Sequence, residues 1–202
     1  MPTKSRKSPK QSRSKITVEA ILQATTHILL AGGAQALTTN HVAERAGVSI
    51  GSLYQYFPNK ESLIAALIEQ HVQQEIECLS SIIENWQGAF NESLFRKLIQ
   101  AFIKIHLEDI ELTKLLHQQV NSLECREELR KATRFFEQII AALLAKNFNL
   151  DMNNRLIQTK AFIVTNTIDS LVQIALIEDT RMLSDTIFID ELVALVHQIS
   201  SH

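Results

Sequence analysis

Apolar positions recur at three- and four-residue steps along most of the chain, the period of helices packed on one face. From Thr17 the run Val18, Ile21, Leu22, Thr25, Ile28 and Leu29 marks a first helix, and Ala-Gly-Gly at 31–33 supplies its stop. Leu37, Thr38 and Thr39 follow, with hydroxyls suited to an N-cap, and a short helix over 40–46 turns Val42 and Ala43 inward. Gly47, Val48 and Ser49 read as a tight turn. Gly47 takes positive φ, Val48 plugs the core and Ser49 caps a helix over 50–57 that Pro58 ends. From Glu61 the positions Ile64, Leu67, Ile68, Val72, Ile76, Leu79, Ile82, Ile83 and Trp86 predict one long amphipathic helix ending near Gly88.

Shorter runs predict the rest. Leu94, Phe95, Leu98, Phe102 and Ile105 form one, residues 112–119 a second, and Leu129, Ala132, Phe136, Ile139 and Leu143 a third. Asn91 and Ser122 suit the N-caps of the first and third. Two more helices follow from Ile157, Ala161, Val164, Ile168, Leu171, Val172 and Ala175, and from Phe188, Leu192, Leu195, Val196 and Ile199. No repeat period emerges, so a solenoid is not indicated.

Composition narrows the class. With 46% apolar and 21% charged residues in 202, the chain has globular composition. It holds 5 Gly and 3 Pro, and beyond Pro58 there is no proline and a single glycine, Gly88. Sandwiches and barrels need a turn signal about every 8–12 residues, so a β-rich fold is excluded. The expected fold class is all-α, with about nine helices. Cys78 and Cys125 match neither a disulfide framework nor a zinc spacing and read as buried, reduced side chains. The longest apolar run, 139–145, is too short for a bilayer, and no signal-peptide pattern opens the chain. A cytoplasmic protein without membrane attachment is expected.

Charge is polarised. Residues 1–60 carry eight Lys/Arg against two acids, whereas 61–202 carry twelve against twenty. One end therefore suits a polyanion and the other does not. Residues 1–14, basic and without a large apolar side chain after Met1, read as a flexible arm that either contacts nucleic-acid phosphates or solubilises the chain.

Two short helices joined by a glycine-containing turn form the helix-turn-helix pattern, whose second helix enters a major groove. That helix offers Ile50, Gly51, Ser52, Tyr54, Gln55 and Tyr56, with Leu53 and Phe57 as core anchors. No acid occurs from Arg45 to Lys60, as a surface facing phosphates requires. Both tyrosines of the chain sit here, and a tyrosine hydroxyl donates well to a phosphate oxygen. A lysine at the start of a helix is unfavourably placed against the helix dipole, which an external anion at Lys60 would remedy. Gln55 can pair with adenine N6 and N7, and Ile50 can pack on a thymine methyl.

The segments AILQA at 20–24, AGG at 31–33, LTT at 37–39, VAERAGVS at 42–49, GSLYQYF at 51–57 and NKE at 59–61 resemble the DNA-binding domain of TetR/AcrR-family repressors. The resemblance covers 15–75, with the motif at 38–57, and leaves 76–202 as a ligand-binding and dimerisation domain. It implies that Thr38 and Thr39 contact phosphate and that Asn40 reaches a base or a phosphate. Ser49, Ile50, Gly51, Ser52, Gln55 and Tyr56 would face the groove, while Tyr54 and Lys60 hold phosphates. It also implies a homodimer through the helices near 155–177 and 185–200, a palindromic operator on double-stranded DNA, and a small hydrophobic inducer.

The implied inducer pocket has as candidates Trp86, Phe102, His106, Leu116, His117, Phe135, Phe136 and Phe162, although aromatics at helical spacing are core packing more often than pocket lining, and the two histidines are buried polar or surface residues before they are ligand contacts. The acidic balance of 61–202 leans towards neutral or cationic compounds. His71, Glu75 and Cys78 share one face of the long helix in a chelating pattern, but apolar Val72 and Ile76 beside them read as a packed face, so no metal and no cofactor is assigned. No nucleophile–base order, phosphate loop or HExxH motif points to an enzyme. The expected function is a repressor that an inducer releases from DNA, the alternative a helix-turn-helix regulator controlled by a protein partner or by no ligand.

Overall fold

Helical periodicity and the scarcity of Gly and Pro are realised as nine α-helices and one short 3-10 helix, with no strand among the described residues. The computed structural model describes residues 12–88, 90–118 and 123–201. In chain order the helices are α1 (Ser12–Ala36), α2 (Thr39–Arg45), α3 (Ile50–Tyr56), α4 (Lys60–Glu84) and α5 (Glu92–Glu108). There follow α6 (Ile110–Gln118), α7 (Leu123–Phe148), α8 (Arg155–Glu178), the 3-10 helix (Thr180–Ser184) and α9 (Thr186–Ser201).

Local chemistry sets the ends. The path of α1 is broken at Gly33 (φ 66°, ψ −173°), a conformation that a side chain would strain, so the Ala-Gly-Gly stop acts where the sequence placed it. Asn91 caps α5, its Oδ1 accepting from the Ser93 amide at 3.0 Å. Of the arm expected over 1–14, residues 12–14 belong to α1 instead. Once the apolar face from Val18 nucleates the helix, each added polar residue forms a hydrogen bond at small cost. Residues 1–11 lie outside the described residues, as do Ser122 and the side chain of Cys125. Cys78 is a free, half-buried thiol.

The chain forms two compact units, divided inside α4. The first runs to Val72 and adds residues 111–129. In it α1 packs on α2 and α2 on α3, around Ile21, Ile28, Leu29, Leu37, Val42, Leu53 and Phe57. The second comprises residues 73–110 and the chain from Arg130 onward. There α5 packs on α9 and α8 on α9, over a core that includes Phe95, Ile99, Leu144, Ile157, Val164, Leu176, Leu183 and Val196. The first boundary falls close to the expected 75. The inclusion of 111–129 in the first unit was not expected, since membership there is decided by packing rather than by any local signal.

Polar groups brace the second unit. Buried Lys160 donates its ammonium to the Ile199 carbonyl near the end of α9, satisfying a helix-terminal acceptor. Arg96 of α5 pairs with Asp190 of α9.

Candidate nucleic-acid interface

The geometry of α2 and α3 begins with their caps. The Thr38 hydroxyl oxygen accepts from the His41 amide at 3.2 Å, and Ser49 Oγ accepts from the Ser52 amide at 3.0 Å. Each cap satisfies one of the orphan donors of a helix only seven residues long, where one bond is a large share of the total. Between the helices Gly47 adopts φ 66°, and the amides of Gly47 and Val48 return to the carbonyls of Glu44 and Ala43. Val42, Leu53 and Phe57 anchor the pair in the core, and Val48 is half-buried.

That anchoring decides which side chains face out. Ile50, Gly51, Tyr54 and Gln55 are exposed along α3, with Ser52 and Tyr56 half-buried at its flanks. On α2, Thr38 and Asn40 are exposed and Thr39 is half-buried. The Tyr54 hydroxyl and Thr39 Oγ1 lie 3.0 Å apart, tying the start of α2 to the exposed ridge of α3 and aligning two hydroxyls side by side. At the start of α4, Asn59 Oδ1 accepts from the Ser62 amide at 2.7 Å while Ser62 Oγ donates to the Asn59 carbonyl at 2.7 Å. Asn59 therefore caps the helix, and Lys60 in its first turn remains exposed. The structure thus gathers amide, hydroxyl and ammonium donors on helices whose amino ends are fixed by caps. Such a surface is chemically suited to phosphate and base edges. His41 and Arg45, both exposed on α2, extend it and were not singled out by the motif; their signal was the polar face of α2 opposite Val42 and Ala43.

Comparison with known proteins bears on the whole chain. A model described as bacterial regulatory proteins of the tetR family matches residues 21–67. A second, described as a tetracyclin repressor-like C-terminal domain, matches residues 92–198. The chain belongs to the TetR family. Residues 21–67 carry the family's regulatory-protein model and residues 92–198 its C-terminal one. An uncharacterised HTH-type regulator of Bacillus subtilis, YvkB, is 35% identical over 78 residues, 39% of each chain. The nucleoid occlusion factor SlmA of Vibrio vulnificus is 29% identical over 123 residues, 60% of this chain and 61% of its own. The chain thus spans about two-fifths to three-fifths of these relatives' lengths. The structure of FadR from Bacillus subtilis in complex with stearoyl-CoA has a TM-score of 0.68 at 20% identity, covering 91% of this chain and 99% of that one. At that identity the likeness concerns the fold.

The candidate pocket residues of this TetR-family chain are divided between the two units. Phe102 and His106 are buried in the second unit, and Phe102 belongs to its continuous core. Phe135 and Phe136 are half-buried and meet edge to face at 5.8 Å. Trp86 folds over the turn at Gly88, where a Cβ would come within 2.8 Å of the indole, and the Lys97 ammonium lies 5.8 Å from its ring centroid. Buried Leu116 and half-buried His117 belong to the first unit, not to the second. Phe162 is 57% exposed: on α8 it falls opposite the face buried through Ile157, Ala161 and Val164, so it lines no interior of this chain. Other apolar side chains of α8 and α9 are exposed as well, among them Ile174 at 51%, Ile177 at 58%, Ile187 at 69% and Leu195 at 42%.

Proposed function

We propose that the chain is a cytoplasmic, homodimeric repressor that a small-molecule inducer releases from a roughly palindromic operator. The observation that carries this reading is the outward ridge of α3, where Ile50, Gly51, Tyr54 and Gln55 stand exposed on a capped, core-anchored helix. In this reading Gln55 and Ile50 read bases, with Gly51, Ser49, Ser52 and Tyr56 lining the contact. Tyr54, Thr38, Thr39 and Lys60 hold phosphates, and Asn40 reaches a base or a phosphate.

Dimerisation is supported by the exposed apolar side chains of α8 and α9, since several large apolar groups left in water on two helices favour association. The same face accounts for α8 being long and apolar enough to cross a membrane. A two-fold dimer would set the two recognition helices about 34 Å apart, one turn of DNA. A hydrophobic inducer is supported by the fold shared with FadR, whose structure holds stearoyl-CoA. Such a ligand releases DNA only through tighter binding to the form with unsuitable spacing. A second reading, control by a protein partner or by no ligand, is favoured by the placement of Phe102 in the core and Phe162 on the surface. A thermal shift with small hydrophobic compounds supports the first reading, and its absence across a broad set supports the second.

The deciding experiment titrates the purified protein against DNA flanking its own gene at two salt concentrations, alongside selection from a random duplex pool. Tight, salt-sensitive binding and one enriched palindrome are expected. Binding equal to that of random DNA, with no motif enriched from the pool, overturns the reading.

A further inference from the structure

His41 is exposed on α2, within the first unit, and its backbone amide is already spent on the Thr38 cap. What it offers outward is the imidazole. The ring Nδ1 lies 3.3 Å from the carbonyl oxygen of Ala36, the last residue of α1. A carbonyl oxygen only accepts, so Nδ1 carries the hydrogen and donates. The bond meets one of the acceptors that the end of α1 leaves over, and it holds the ring against both helices. Nε2, on the far side of the ring, makes no hydrogen bond or ion pair among the described residues. Thr38, His41 and Arg45 follow one another at steps of three and four, so they share one face of α2.

With Nδ1 committed as a donor, the charge on the ring fixes what Nε2 can do. In the neutral ring Nε2 is an acceptor, and a phosphate oxygen offers it nothing. Once protonated it is a charged donor, the kind that bonds phosphate at short range. Titratable groups on the surrounding elements are few. The carboxyl half of α1 carries His27, α2 carries Glu44 and Arg45, and α3 carries Tyr54 and Tyr56. Glu44, the one carboxylate among them, forms no ion pair with the imidazole. We propose that His41 is a further phosphate contact whose protonation is coupled to DNA binding. The inference rests on the proposed DNA binding and adds to it a residue and a pH dependence. The proton comes from solvent and settles on Nε2, which then donates to a phosphate oxygen while Nδ1 keeps its bond to Ala36. Each chain takes up a proton as it engages the duplex, so lower pH tightens binding.

The test measures binding of the full chain to a duplex at constant ionic strength, by fluorescence anisotropy, from about pH 5.5 to about pH 8. Affinity should rise at least about ten-fold per chain towards the acid end, the scale of one hydrogen bond to a charged group. His41→Gln keeps an amide donor for the Ala36 carbonyl and should flatten the profile. Lys60→Ala should weaken binding at every pH and keep the parent's profile. Calorimetry of the parent in buffers of different ionisation heat should count about one proton taken up per chain, whether or not a variant folds. Absence of uptake overturns the proposal, as does a profile that His41→Gln leaves unchanged. A random duplex serves as well as an operator, because the phosphates are common to both. Equal affinity for every sequence therefore counts against the operator and leaves this test intact, whereas no binding to any duplex overturns both.

Discussion

Between Thr38 and Lys60 the polar side chains stand outside an apolar frame, whereas in the second unit several of the most consequential ones lie within. Tyr54, Gln55 and Lys60 are exposed over Val42, Leu53 and Phe57. Glu75, His106 and Lys160 are buried. On the surface a polar residue keeps its water and is available to an incoming partner, so its cost to folding is small. Inside, the same residue must find its partner in the fold, and Lys160 on the Ile199 carbonyl shows how specific that partner is. The first region separates stability from recognition; the second fuses them.

The largest effect that sharpens this contrast is expected at the frame. Leu53→Ala, at a fully buried position, should cost about 2–5 kcal/mol in chemical denaturation and abolish specific DNA binding through loss of the motif. Gln55→Ala beside it should leave stability within about 0.5 kcal/mol. A comparable loss in both would erase the division between frame and ridge.

Next in size is the interior acid. Burial and the charge of Glu75 push the Asp169 carboxyl up to about 6, against the opposing pull of the Gln173 hydrogen bond. An unfolded aspartate titrates near about 4, so between these values the folded chain holds a proton that the unfolded chain has released. This group's contribution therefore falls as pH rises from about 4 to about 6 and stays low above that. Asp169→Asn should raise stability at pH 7 by about 2 kcal/mol, with the gain vanishing near pH 4, measured by urea melts at both values. A pH-independent difference would show that the carboxyl titrates normally.

Smaller effects belong to the ridge. Tyr54→Phe removes the hydroxyl 3.0 Å from Thr39 and should weaken binding to all duplexes alike, by about 1 kcal/mol. Lys60→Ala should lower the salt dependence of binding by about one unit, and an unchanged slope would remove it from the phosphate contacts. The subtlest change is expected from Gln55→Ala: relaxed base preference at one operator position, read from a mutated-site library.

Much of this was legible beforehand. The glycine stop at Gly33, the caps Thr38, Ser49 and Asn91, and the anchors Leu53 and Phe57 all follow from side-chain chemistry within a few residues of where it acts. The exposed ridge of α3 follows too, because once two anchors face inward the helical period leaves the remaining positions outside. The pocket candidates fared differently. Aromatic residues at helical spacing show which helix carries them but not what lies opposite, so Phe162 was grouped with interior residues and stands exposed. Leu116 and His117 fall in the first unit and the other candidates in the second, a division no local signal announces.

The sequence by itself determined the helices, their caps and stops, the motif and the side chains it displays, because those depend on interactions spanning about one helical turn. Only the tertiary structure decided that His106 meets Glu75, that Lys160 reaches Ile199 and that the outer faces of α8 and α9 remain apolar and open. These join residues far apart in the chain, and which of many chemically equivalent partners a buried polar group finds is set by how the helices pack.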